Sequence, residues 1–158
     1  MSEPLAYFLT WHTYGTWIHG DDRGSVDDRH NQPNTPMLDP NPERRRRAVG
    51  LMKSEPLILD NAAREIVAAT FVDHCRIRNW RLLAKAVRTN HAHVVIENAG
   101  VTPERMMTEL KGYSTRRLRR AGIVGKDQEA WVYHGSTRYL WTPQKVESTI
   151  AYVELGQD

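Results

Sequence analysis

Two of the Thr-Pro pairs, Thr102-Pro103 and Thr142-Pro143, constrain this chain more than any other feature. In each, a hydroxyl stands where it caps a helix, and the proline takes the first helical position, where its missing N–H costs nothing. Glu104 adds an acid to the first turn of the earlier helix and Gly122 marks its end. The second pair opens a terminal helix reaching about Leu155, so the stretch between the helices must be loop and strand. Arg138 to Trp141 reads as that last strand.

Upstream, Asp60 can cap a helix in which Ala63, Ile66, Val67, Phe71, His74 and Ile77 recur at helical spacing, ending near Asn79. Arg81 to Val87 and His91 to Ile96 are short apolar-rich runs separated by Arg88-Thr89-Asn90, a spacing that suits an antiparallel hairpin. Ala6 to Trp17, rich in aromatic and β-branched residues, reads as the first strand, with Thr10, His12 and Tyr14 opposite Trp11 and Thr13. The order is β-α-β-β-α-β, then α. That is a ferredoxin-like α+β arrangement, an antiparallel sheet with two helices on one face and the other face left for chemistry.

From 18 to 56 the composition shifts to Gly, Asp, Asn and Pro, with an Arg44-Arg45-Arg46-Arg47 run, which reads as a long irregular insertion within a single domain spanning 1–158. A domain of 158 residues buries about two-thirds of its unfolded surface and needs no staples. The lone Cys75 offers no disulfide framework. No run approaches about 18 apolar residues, and the segment after Met1 has no cationic leader. A cytoplasmic, non-membrane protein is expected. The net charge of +3 is too mild to name a partner, so charge placement matters more.

In His91-Ala92-His93-Val94-Val95-Ile96, strand alternation turns Ala92, Val94 and Ile96 to one face and His91, His93 and Val95 to the other. The imidazoles then stand at i and i+2, close enough to coordinate one divalent cation, which suits displacement at phosphorus. The pair could equally decorate a strand. His74 falls on a helix's packing side and His19 and His30 fall in the insertion, whereas His12 on the first strand and His134 near the last are open as site neighbours but are not among the catalytic residues.

Taken together, Asn90 with His91-Ala92-His93, the helix around Leu110-Lys111-Gly112-Tyr113-Ser114-Thr115-Arg116-Arg117-Leu118, Tyr139-Leu140-Trp141 and Ile150-Ala151-Tyr152-Val153-Glu154 resemble the single-tyrosine HUH transposases and their REP-associated relatives. The resemblance implies that His91 and His93 hold Mg2+ or Mn2+. It also implies that Tyr152 attacks a scissile phosphate in single-stranded DNA beside a hairpin, leaving a 5′-phosphotyrosine link and a free 3′-hydroxyl. The family often carries a third metal ligand, Gln, four residues after the tyrosine. Here that position is Gly156, and Gln157 comes one residue late. A five-residue offset rotates a helical side chain about 140° away, although a glycine there could end the helix and re-aim Gln157.

Tyr113 is the rival nucleophile, but it falls with Met106 and Leu110 on an apolar stripe, whereas Tyr152 projects away from Val146, Ile150 and Val153. Lys111, Arg116, Arg117, Arg119 and Arg120 concentrate positive charge towards one helix end and are candidate DNA contacts, as is Arg138; the same cations would also offset a helix dipole. Trp131, Tyr133, Tyr139 and Trp141 flank a polar stretch and could stack bases or fill a core. Two other readings stay open: an inactive hairpin-DNA-binding protein, and a metal-dependent nuclease using water. Monomer and homodimer are both compatible with the sequence.

Overall fold

A computed structural model describes residues 2–15 and 56–156. The arginine run, His19, His30, Trp17, most of the insertion and Gln157 lie outside the described residues. The elements are β1 (Ala6–His12), α1 (Asn61–Arg78), β2 (Leu82–Val87), β3 (His91–Glu97), α2 (Pro103–Arg120), β4 (Ser136–Leu140) and α3 (Pro143–Glu154). The strands form one antiparallel sheet in the order β2-β3-β1-β4. This is the ferredoxin-like α+β arrangement with an added C-terminal helix.

The helix signals act as side-chain chemistry requires. Asp60 Oδ1 accepts from the Ala63 N–H at 2.8 Å, Thr102 Oγ1 from Arg105 at 3.2 Å and Thr142 Oγ1 from Lys145 at 3.1 Å, each satisfying an orphan donor of a first turn. α1 stops at Asn79, whose φ of 61° is the left-handed conformation that asparagine tolerates.

Several strand boundaries differ from expectation. β1 ends at His12, because there its partner β3 begins, opposite His91. Beyond it, Thr13 makes an isolated bridge to Trp131, and Tyr14 exchanges backbone bonds with Ala130 and Leu57 instead of extending the sheet. β4 starts earlier, at Ser136 opposite Thr10. Gly135 permits this close approach, since a Cβ on it would lie 2.8 Å from the Thr10 carbonyl oxygen and 2.5 Å from Met107 Sδ. Trp141 falls outside the strand because the chain is already entering the Thr142 cap.

Alternation splits the sheet into two unlike faces. Leu9, Trp11, Ala92, Val94 and Ile96 are fully buried beneath α1 and α2, where they meet Phe71, Met106, Leu110 and Leu118. The Trp11 ring lies edge-on to both Phe71 (5.5 Å) and Trp131 (5.9 Å). Each such large side chain contributes about 1.5–3 kcal/mol through burial. The other face is only partly left for chemistry: α3 packs there, setting Val153, Val146 and Ile150 against Ala6, Phe8, Ala84, Val95 and Leu140. Among the described residues no helix is long and apolar enough to cross a membrane. Cys75 is buried, and burial pushes its thiol up to about 11, which leaves it chemically quiet.

Candidate active site

β3 builds the site by its register. His93 pairs with Thr10 and His91 with His12 on β1, while Ala86 of β2 flanks His93 on its other side, so all five residues share the face that α3 covers in part. The His91 and His93 rings lie 4.7 Å apart at 77°, and the His12 ring sits 5.4 Å from His91. His93 is buried between its neighbours. Burial, helped by the nearby charges of His91 and Arg88, lowers its pKa to about 4, so the ring is neutral near pH 7.

Both imidazoles are held through the same nitrogen. His93 Nδ1 shares a 2.8 Å hydrogen bond with Thr10 Oγ1, and His91 Nδ1 donates to Asn90 Oδ1 at 2.8 Å. A proton on Nδ1 puts the lone pair on Nε2, the state in which imidazole binds a metal. With Nε2 free of the Nδ1 bond in each ring, the pair fits two positions of a divalent cation's coordination shell. Among the described residues, no group of three His, Cys, Asp or Glu side chains converges on a common point.

α3 brings Tyr152 to this pair. Its buried neighbours Thr149 and Val153 hold the helix on the sheet, leaving Tyr152 47% exposed, with its ring 6.1 Å from His93 and 6.1 Å from Phe8. Tyr113 lies on the opposite layer. It is not the core residue its stripe suggested, because the buried line of α2 runs through Met106, Leu110, Ser114 and Leu118. Tyr113 instead stacks on His74 at 4.3 Å, with the Arg116 guanidinium 4.8 Å over its ring. Of the two tyrosines weighed from the sequence, only Tyr152 shares a face with the histidines.

α3 ends as its glycine dictates. Leu155 caps it and Gly156 turns left-handed at φ 78°, and a Cβ on Gly156 would lie 3.2 Å from Arg88 Nη2, in the turn that carries His91. Gln157, the expected third ligand, is outside the described residues.

The expected basic surface is divided. Lys111 is not placed for DNA: its buried ammonium donates to the carbonyls of Val132, Tyr133 and His134 at 3.0–3.2 Å, and burial lowers its pKa to about 8. Arg117 pairs with Asp73 at 2.8 Å, and Arg119 donates to the Gly125 and Gln128 carbonyls. Arg116 and Arg119 remain exposed enough to meet solvent, as does Arg120. These arginines belong to the helical layer, whereas Arg138 projects from β4 opposite Phe8, on the histidine face. Trp131 is core, its Nε1 donating to Ser114 Oγ at 3.1 Å, whereas Tyr133, Tyr139 and Trp141 are exposed.

Sequence reasoning passed over Thr10 and Arg88 as site neighbours, named Asn90 only within the family resemblance, and kept His12 out of the catalytic residues. Asn90 and Arg88 could have been found from their place in the turn before the histidines. Thr10 and His12 needed the β1–β3 register, which no local pattern specifies.

An antiparallel βαββαβ sheet with a further helix laid across its second face defines a fold shared with solved transposases. The chain is similar to a candidate transposase from Deinococcus radiodurans R1 (TM-score 0.54, 14% identity, covering 98% of this chain and 92% of that one). It is also similar to a REP-associated tyrosine transposase bound to a REP hairpin (TM-score 0.53, 10% identity, covering 98% and 72%). No curated protein matches it significantly in sequence. Residues 46–154 match the IS200-like transposases, and the chain belongs to that family.

Proposed function

We propose that this transposase cuts and rejoins single-stranded DNA through a covalent link to Tyr152. The reading is carried by one observation: a half-exposed tyrosine on α3 stands 6.1 Å, ring to ring, from a buried neutral histidine of the His-x-His strand. In the cut, Tyr152 Oη forms a bond to phosphorus while the bond from phosphorus to the 3′-oxygen breaks. The phenolic proton is lost to solvent, the departing 3′-oxygen takes one up, and the 5′-phosphate remains on the protein. Joining reverses these steps with another 3′-hydroxyl, so the phosphodiester energy is conserved. Phe8 braces both rings, at 5.4 Å from His93 and 6.1 Å from Tyr152, and so fixes their relation.

His91 and His93 would hold Mg2+ or Mn2+, with Gln157 as a candidate third ligand; such an ion would neutralise charge on the scissile phosphate. A hairpin-bearing strand is the substrate that fits, given that the REP-associated neighbour is bound to a REP hairpin. Arg138, on the histidine face, is a candidate contact to the DNA backbone beside the chemistry, and Arg116, Arg119 and Arg120, in the helical layer, would meet other phosphates. The chain acts as a single domain in the cytoplasm, as monomer or homodimer.

A non-catalytic hairpin binder is the second reading, favoured by Gly156 standing four residues after Tyr152, where the resemblance would put the third metal ligand. End-labelled oligonucleotides separate the two. With Mn2+, a 3′-end label should become protein-linked while a 5′-end label is released on a fragment that a polymerase can extend. Binding without either product would establish the non-catalytic reading.

A further inference from the structure

We infer that Thr10 and Asn90 are positioning residues that fix the tautomer and orientation of the two site imidazoles. The inference rests on the proposed metal-ligand role of His91 and His93 and names what prepares them for it. Each ring is held at Nδ1 by a neighbouring side-chain oxygen, Thr10 Oγ1 for His93 and Asn90 Oδ1 for His91, both at 2.8 Å. An amide oxygen only accepts, so His91 must carry its proton on Nδ1. A hydroxyl can accept or donate, and acceptance by Thr10 gives His93 the same tautomer. Both rings then present Nε2 with its lone pair, as two ligands of one ion require.

Neither oxygen is there by chance of a loose side chain. Thr10 sits in the middle strand pair, opposite His93 on one side and Ser136 on the other, with Gly135 pressed against its carbonyl. Asn90 is tied to the end of β1, its carbonyl accepting from the Thr13 N–H at 2.9 Å, and Thr89 before it accepts from Leu59 at 2.7 Å. The two positioning groups therefore ride on the sheet and on an anchored turn. Ordering two rings before the metal arrives removes an entropy cost from binding.

Imidazole nitrogen NMR on the metal-free protein, at mildly alkaline pH, reads the tautomer directly, and Mn2+ titration reads the consequence. Wild type should show Nδ1–H for both rings. Thr10→Val should move His93 towards the Nε2–H form and weaken Mn2+ binding about 10- to 100-fold, and Thr10→Ser should restore both. Asn90→Ala should do the same for His91, with Asn90→Asp retaining the tautomer. Unfolding midpoints identify any variant that merely misfolds, and for such a variant the Ser or Asp partner decides. Wild-type His93 protonated on Nε2, or Thr10→Val and Asn90→Ala with unchanged tautomers and Mn2+ affinity, would overturn the inference. Should wild type bind no Mn2+ at these histidines, the metal reading falls, and the tautomer comparison decides the positioning roles alone.

Discussion

At His93, the burial that keeps the ring neutral should also make the fold sensitive to acid. Burial lowers its pKa to about 4, below the ordinary 6.5, so between these values the unfolded chain binds the proton that the folded ring refuses. The metal-free protein should therefore lose stability as pH falls from about 6.5 towards 4, and His93→Gln should flatten that part of a melting-temperature profile. An unchanged slope in the variant would place the acid sensitivity elsewhere. The two histidines also differ in what their removal costs. His91 is half-buried and His93 is 7% exposed, so His91→Ala should hardly move the unfolding midpoint, whereas His93→Ala should cost roughly 1–2 kcal/mol. Both should abolish DNA cleavage and weaken Mn2+ binding, and normal cleavage by either would return the pair to a structural role.

Among the elements, α2 separates what its sequence made legible from what it hid. Its start and its end follow from Thr102-Pro103 and Gly122, both local signals, whereas the apolar stripe that took in Tyr113 missed Ser114, which lies on the buried line. The destination of its cations does not follow from local signals either. Lys111 sits one residue from the core line and is taken up by carbonyls of a loop more than twenty residues downstream, and Arg117 by Asp73 of α1. Such pairings depend on tertiary contacts that carry no sequence period. Lys111→Met should accordingly destabilise the fold by about 2–3 kcal/mol, the scale of lost charged hydrogen bonds, while leaving the salt dependence of DNA binding as it was. Arg116→Ala with Arg119→Ala, and separately Arg138→Ala, should flatten that dependence by about 0.7 per lost phosphate contact. Fluorescence anisotropy across a salt series reads both, and an unchanged slope for the arginine variants would assign them to structure alone. β3 was the most legible element, because one face of strict alternation fixes where both histidines point; its neighbours across the sheet were not legible, because register is set by pairing.

Across the whole molecule, the sheet keeps two candidate tyrosines apart. α1 and α2 cover one face with the main core and carry Tyr113 over His74, whereas α3 crosses the other face and carries Tyr152 to His93. The central claim is that the second arrangement is the reactive one. A denaturing gel of protein incubated with a labelled hairpin-flanked single strand and Mn2+ tests it most directly. Wild type and Tyr113→Phe should give a covalently shifted band. Tyr152→Phe, which loses only a hydroxyl, should give none while still binding the DNA. An adduct that persists in Tyr152→Phe, or wild-type cleavage with no adduct at all, would contradict the account.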